Sequence, residues 1–404
     1  VVTAVVAPAS AGASALLPES FTFNGPSGID LGPRPAADGR ISGPVSGAIN
    51  ALVPDPGDEN VAWIGSVNGG VWKTVDAASP GGPTWTPETD HQSSLAIASL
   101  SLDPTFADPS CVVPDASRPC VLVAGLGHSS SYAAALDTAN LDGVLRSVDG
   151  GVSWTRLGAD LIGHNVFGVQ ARGSDIVVGT DDGVLRSTDT GVTFHHVAGV
   201  PFGHADEVEG TAADPQRLYA ALSGTGGGVF TSPDGGATWQ SAGGATFGQP
   251  AGPDLVAGSR RLQVSASASS PNIVYAALVG ANKDVSAVFR SADFGAHWTP
   301  LEVPPNIDKA LQARLSIIAD PTSSHLLYLG GDEDTGVAPI FRCDTTQPVG
   351  AQCVNLDNFG STLDGSGTHE DSRRLAFDHD GNLLDADDGG IFKHTGPLSI
   401  PSAG

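Results

Sequence analysis

The eight residues Ser147-Val148-Asp149-Gly150-Gly151-Val152-Ser153-Trp154 decide how this chain is read, because the same phrase returns along it. Near-copies stand at residues 187–194, 232–239 and 291–298, closing on Phe194, Trp239 and Trp298, and an interrupted copy runs from Thr74 and Asp76 to Gly82 and Trp85. The shared pattern is Ser/Thr-x-Asp-x-Gly-x-x-Trp/Phe, and each part has a local physical task. The Asp and Ser side chains can bond backbone N–H groups of a tight turn, the Gly can take positive φ, and the aromatic anchors the outgoing strand in a core. Each copy predicts the turn of a β-hairpin.

The residues around each copy resemble the Asp-box (BNR) repeat of the sialidase-like and xyloglucanase-like β-propellers, over roughly residues 41 to 395. Successive copies fall roughly 40 to 60 residues apart, against about 40 to 50 for one propeller blade. The resemblance implies an all-β fold: a single seven-bladed β-propeller of four-stranded antiparallel blades with Asp-box turns. It implies little about function, since propellers host hydrolases, lyases, binding modules and scaffolds.

Each blade is expected to pass from an apolar innermost strand through an Asp-Pro-type turn to a second strand ending in Gly, then to a third strand leading into the repeated turn. The innermost strands are predicted at residues 49–53, 96–102, 166–170, 208–212, 262–266, 315–319 and 374–377. The seventh set lacks an outer strand. An open sheet edge in a ring invites aggregation, so Phe21-Thr22-Phe23 is expected to close it, unless the natural chain runs on past Gly404. The domain is thus taken as residues 21–404, preceded by a leader or disordered segment at 1–20 that reads as the remainder of a secretion signal.

Gly 53 and Pro 29 supply turns, and no stretch shows helical periodicity. A formal net charge of −25 sets the chain against nucleic acid and anionic lipid, and no segment is apolar enough to cross a bilayer as a helix. The four cysteines form two close pairs, Cys111 with Cys120 and Cys343 with Cys353, which predicts two local disulfides and an extracellular, secreted protein. Cys343 stands where the repeated turn should carry its Ser, so a disulfide is expected to replace that turn in the sixth blade. The expected state is a monomer or part of a longer chain.

Propeller strand order places the repeated turns on one face, and the starts of innermost strands with the second-to-third turns on the other. The second face carries the candidate chemistry. Before or at the innermost strands stand Arg40, His91, His164, His204 with Glu207, Arg260, Arg314, and His369 with Glu370, Asp371 and Arg373; second-to-third turns add Asp181 and Asp387. Four histidines recur at one position of the repeat. His204, Glu207, His369, Glu370, Asp371 and Asp387 are the candidates for acid–base work, with Arg40, His91, His164, Asp181, Arg260, Arg314 and Arg373 as ligand-binding groups. No cofactor is required, and calcium is the divalent cation such a ring of imidazoles and carboxylates would take in the funnel. The competing reading is structural: polar groups must line a wet channel, and Asp-Asp-Gly is ordinary turn chemistry.

Sharper motifs fail. Sialidases use an arginine triad with a Tyr–Glu pair, whereas Tyr219, Tyr275 and Tyr328 fall inside second strands and read as core. Xyloglucanase-like enzymes place a carboxylate in a first-blade turn where this chain has Val67, and Asp181 and Asp387 match that turn only in other blades. Asp378-His379-Asp380-Gly381-Asn382 echoes a calcium loop but reads better as a hairpin turn. Two functions remain: a secreted carbohydrate-active hydrolase or lyase working in the funnel, and a non-catalytic extracellular propeller that binds carbohydrate or another ligand on the same face.

Overall fold

Every copy of the repeated turn closes through one set of hydrogen bonds. In the first, Ser147 Oγ donates to Asp149 Oδ1 at 2.8 Å and accepts from Gly151 N at 2.9 Å, and Ser153 N donates to Asp149 Oδ1 at 2.9 Å. The same bonds recur from Asp189, Asp234 and Asp293, and Thr84 N closes the interrupted copy on Asp76 Oδ1 at 2.7 Å. Gly151 adopts φ 98°, a conformation that side-chain-bearing residues rarely hold. Trp154, Phe194, Trp239 and Trp298 are all buried at equivalent places.

The computed structural model describes residues 48–105, 111, 119–128, 140–244, 246–247, 254–305, 307, 315–331, 339–356, 368 and 371–397, with the backbone of Phe21–Phe23. The described strands form seven antiparallel sheets of four, each ordered from the innermost strand outward. The innermost strands are Ile49–Pro54, Ile97–Leu102, Val166–Arg172, Ala205–Gly210, Arg261–Ala266, Ser316–Ala319 and Arg374–Phe377 in blades one to seven. Each packs beside the next and the last packs beside the first, so the sheets close into a ring. Phe21–Phe23 pairs with Ile391–His394 as the fourth strand of blade seven. Residues 1–20 lie outside the described residues.

The core is divided as the ring is. Seven clusters of buried apolar side chains each lie between two neighbouring blades, such as Trp63 and Val71 of blade one with Ile97, Leu122 and Leu145 of blade two. Sheet-to-sheet burial of this kind supplies most of the stabilisation, at about 25 cal/mol per Å² of apolar surface removed from water. Near the axis the strands converge until side chains no longer fit. A Cβ on Gly168 would come within 2.5 Å of the Val208 backbone nitrogen in the next blade.

Both disulfides form, Cys111–Cys120 and Cys343–Cys353. Cys343 and Cys353 face each other in the register of the third and fourth strands of blade six, where blades two to five use the Ser–Asp turn. Asp378 is a turn residue: Asn382 N and Asp380 N donate to its Oδ1 at 2.8 and 3.1 Å. The largest difference among the innermost strands is in blade four, which runs Ala205–Gly210 rather than 208–212, so Glu207 belongs to the strand and lines the axial cavity instead of preceding it.

Candidate functional site

Because each blade runs as a meander outward from the axis, the segments leading into innermost strands share a face with the second-to-third turns. At the axis the innermost strands line a cavity that opens to solvent, with Asn50, Gln170, Glu207, Arg261, Arg373 and Arg374 among its walls. Glu207 and Glu209 are two apart on one strand and therefore point to the same side. Arg374, from blade seven across the ring, bonds both: its Nη1 donates to Glu207 Oε1 at 3.1 Å and its Nη2 to Glu209 Oε2 at 3.4 Å. This ion pair spans the channel.

The other axial arginines are also engaged. Arg373 Nε donates to Asp388 Oδ1 at 2.5 Å and its Nη1 to Asn50 Oδ1 at 2.8 Å, while its Nη2 stands 3.9 Å from Asp371 Oδ2. With the Gln263 amide turned so that its oxygen faces Arg261, Arg261 Nη2 and Nε donate to that oxygen at 2.8 and 2.9 Å. Burial pulls the Arg261 pKa down, with Asp206 and Glu207 working against it. The Glu207 carboxylate beside Arg374 raises that guanidinium's pKa above its ordinary value. Glu209, deeper along the strand with a side chain 15% exposed, is pushed up to about 7 by burial, while Arg374 pulls it down and Glu207 pushes it up.

Around the funnel mouth, blade three gathers imidazoles and carboxylates. His164 Nδ1 donates to Asp181 Oδ1 at 2.8 Å, and Asp181 Oδ2 accepts from Asn165 N at 3.1 Å and Asn165 Nδ2 at 2.9 Å. Burial opposes ionisation of Asp181, yet these bonds from Asn165 and His164 outweigh it and hold its pKa below the usual range. His204 Nδ1 lies 3.2 Å from Asp206 Oδ1, and its ring stacks on Phe167 at 4.5 Å. Burial works against a charged His204, but the Asp206 hydrogen bond and charge prevail and its pKa is raised. Asp206 Oδ2 also accepts from Leu262 N of the next blade at 3.1 Å.

Of the residues singled out from sequence, the structure brings together His164 with Asp181, and Glu207 with Arg373 at the axial cavity, with Asp371 beside Arg373. His91 and Arg260 are exposed on the same face, the Arg260 Nε donating to Ala281 O at 3.3 Å. Asp387 is buried, with Oδ1 accepting from Gly389 N at 2.7 Å and Gly390 N at 2.9 Å, so this carboxylate shapes its own turn. Arg40, Arg314, His369 and Glu370 lie outside the described residues. Among the described residues, no three His, Cys, Asp or Glu side chains are grouped so as to hold a metal ion. Sequence reasoning missed Arg374 and Glu209; for Glu209 the available signal was three acidic residues, Asp206, Glu207 and Glu209, within one innermost strand.

The fold defines the class, a seven-bladed β-propeller. No protein-family model matches the chain, and no curated protein matches its sequence. Solved structures do match in fold. The GH74 xyloglucanase from Xanthomonas campestris superposes with a TM-score of 0.60 at 17% identity, covering 89% of this chain and 53% of the enzyme. YCF48 bound to D1 peptide gives 0.53 at 15% identity, covering 88% of this chain and 95% of YCF48. The extracellular domain of BT4673 from B. thetaiotaomicron gives 0.57 at 14% identity, over 93% of this chain and 40% of that one. This chain spans about half the length of the GH74 enzymes it matches.

Proposed function

We propose that this protein is an extracellular carbohydrate-binding propeller that recognises its ligand on the funnel face without cleaving it. The observation that carries this reading is the state of the carboxylates. Glycoside hydrolysis needs a protonated acid and a second carboxylate, both within reach of the scissile bond. Here Asp387 is committed to its turn, Asp181 to Asn165 and His164, Asp206 to Leu262 N and His204, and Glu207 to Arg374. Among the described residues, Glu209 alone combines a carboxyl near neutral pKa with a place at the axis, and it is held by the same guanidinium as Glu207.

Support for the rest is chemical and comparative. Two disulfides fit an oxidising compartment, and the repeated turns fit the Asp-box family named from sequence. Structural neighbours include an enzyme of xyloglucan, a peptide-bound propeller and an extracellular domain, so this ring shape serves cleavage and recognition alike. The test is electrophoresis through gels carrying soluble polysaccharides, xyloglucan among them, run beside an assay for new reducing ends. Retardation without new reducing ends is expected. Release of reducing ends, or free migration through every polysaccharide, overturns the reading.

A further inference from the structure

The geometry points to the corner between blades three and four as a subsite for one neutral pyranose ring, with Phe202 as the stacking platform and Asp182 with His196 as the hydroxyl-binding pair. It rests on the carbohydrate-binding reading above and names where, and by what chemistry, the sugar is held.

Phe202 lies in the segment leading to the innermost strand of blade four and is 72% exposed. The exposed phenyl ring presents an apolar face to solvent beside polar groups, so a ligand with an apolar face could cover it and remove that surface from water. Its surroundings narrow the choice. The His196 ring sits 4.5 Å away, tilted by 58°, and His196 Nε2 is 3.3 Å from Asp182 Oδ2. Asp182 and His196 are both half-open to solvent, at 48% and 37% side-chain exposure. Asp181, next in the chain, has both carboxylate oxygens occupied, whereas Asp182 meets His196 through Oδ2. The turn at Gly183 brings these parts together: a Cβ there would meet the Phe202 Cα at 3.6 Å and His196 Nδ1 at 3.8 Å.

A pyranose has an apolar C–H face and a rim of hydroxyls, each hydroxyl both donor and acceptor. The electron-rich face of a phenyl ring receives the C–H face, a carboxylate oxygen accepts from a hydroxyl, and an imidazole nitrogen takes the neighbouring one. Other ligands fit less well. A protein partner needs roughly 800 Å² on each side with several apolar anchors. Among the described residues the exposed large hydrophobics of this face are Ile162 and Phe202, and the remaining ones lie in the turns of the opposite face. An acidic sugar would meet Asp181 and Asp182 on a chain of net charge −25, while the axial arginines are already paired.

The experiment is calorimetric titration of the full chain with cellohexaose and with xyloglucan oligosaccharides, polygalacturonate serving as the acidic comparison. Wild type is compared with Phe202→Ala, Phe202→Trp and Asp182→Asn, with folding checked by tryptophan fluorescence. Phe202→Ala should weaken binding at least about ten-fold, Phe202→Trp should retain it, and Asp182→Asn should weaken it several-fold. Binding of wild type with Phe202→Ala unchanged within two-fold overturns this subsite and leaves the binding propeller standing. No binding by wild type to either neutral probe, or tighter binding to polygalacturonate, overturns the neutral-sugar assignment outright.

Discussion

Replacing Arg374 by Met tests how the channel is held. Arg374 reaches from blade seven to Glu207 and Glu209 in blade four, and those carboxylates are only 9% and 15% exposed. Removing the guanidinium strands two like charges beside each other in a narrow channel. Breaking a buried pair from one side typically costs about 3–5 kcal/mol. Because the Arg374 side chain keeps 35% exposure, the lower end applies, and we expect about 3 kcal/mol at pH 8. The pH dependence has a definite sign. Glu209 is already raised to about 7 in the folded protein, against an ordinary value near 4.5, so the stability it contributes is complete below that ordinary value and is lost as pH rises through 7. Without Arg374 its pKa moves higher still, and at pH 5 the carboxyl is neutral and the penalty shrinks to about 1 kcal/mol. Urea unfolding followed by fluorescence of the six tryptophans measures both values, and Glu207→Gln with Glu209→Gln should rescue the variant. A loss below about 0.5 kcal/mol at pH 8, or a larger loss at pH 5 than at pH 8, would refute the reasoning.

Four further outcomes follow from the same geometry. Trp239→Ala empties an interblade core and should cost about 3–5 kcal/mol in the same urea assay, with Trp298→Ala giving a similar loss from its equivalent position. Replacing Cys343 and Cys353 by Ser opens a loop of sequence separation 10 and should cost about 2–3 kcal/mol, while mass analysis of the wild type without reductant should find no free thiol. Gly168→Ala should destabilise strongly even though it adds one methyl, because that methyl meets backbone of the next blade; unchanged denaturation would show that the blades can part there. His204→Gln should reduce stability more at pH 5.5 than at pH 8.5, since a raised folded pKa gives stability below about 6.5 that is lost as pH climbs through the folded value.

The fold was legible because its signals are local. Ser147, Asp149, Gly151 and Ser153 bond one another within a single turn, and recurrence of that unit in blades two to five, with an interrupted copy in blade one, marks the blade period without knowledge of any long-range contact. Cys343 could be read as a replacement for the turn Ser since the strand before it keeps the pattern of the others. The site was less legible, for a matching reason. Sequence position fixes the face on which His164, Asp181 and His204 emerge, yet it does not say which groups meet across the axis. Arg374 and Glu209 are joined over a separation of 165 residues, and no local pattern encodes that distance. Asp387 shows the opposite failure: a carboxylate on the expected face can be spent on two backbone N–H groups of its own turn. Phe202 is invisible to any period of the repeat, since it lies in the variable segment between blades.

The most direct test of the binding account is hydrogen–deuterium exchange of the full chain with and without saturating cellohexaose, with the sugar weighed at the end of the incubation. The account predicts slowed exchange in peptides covering residues 163–168, 180–184 and 195–206, no change in the repeated turns at 147–154 and 232–239, and cellohexaose of unaltered mass. Protection confined to those turns, or shortened oligosaccharide, would contradict it.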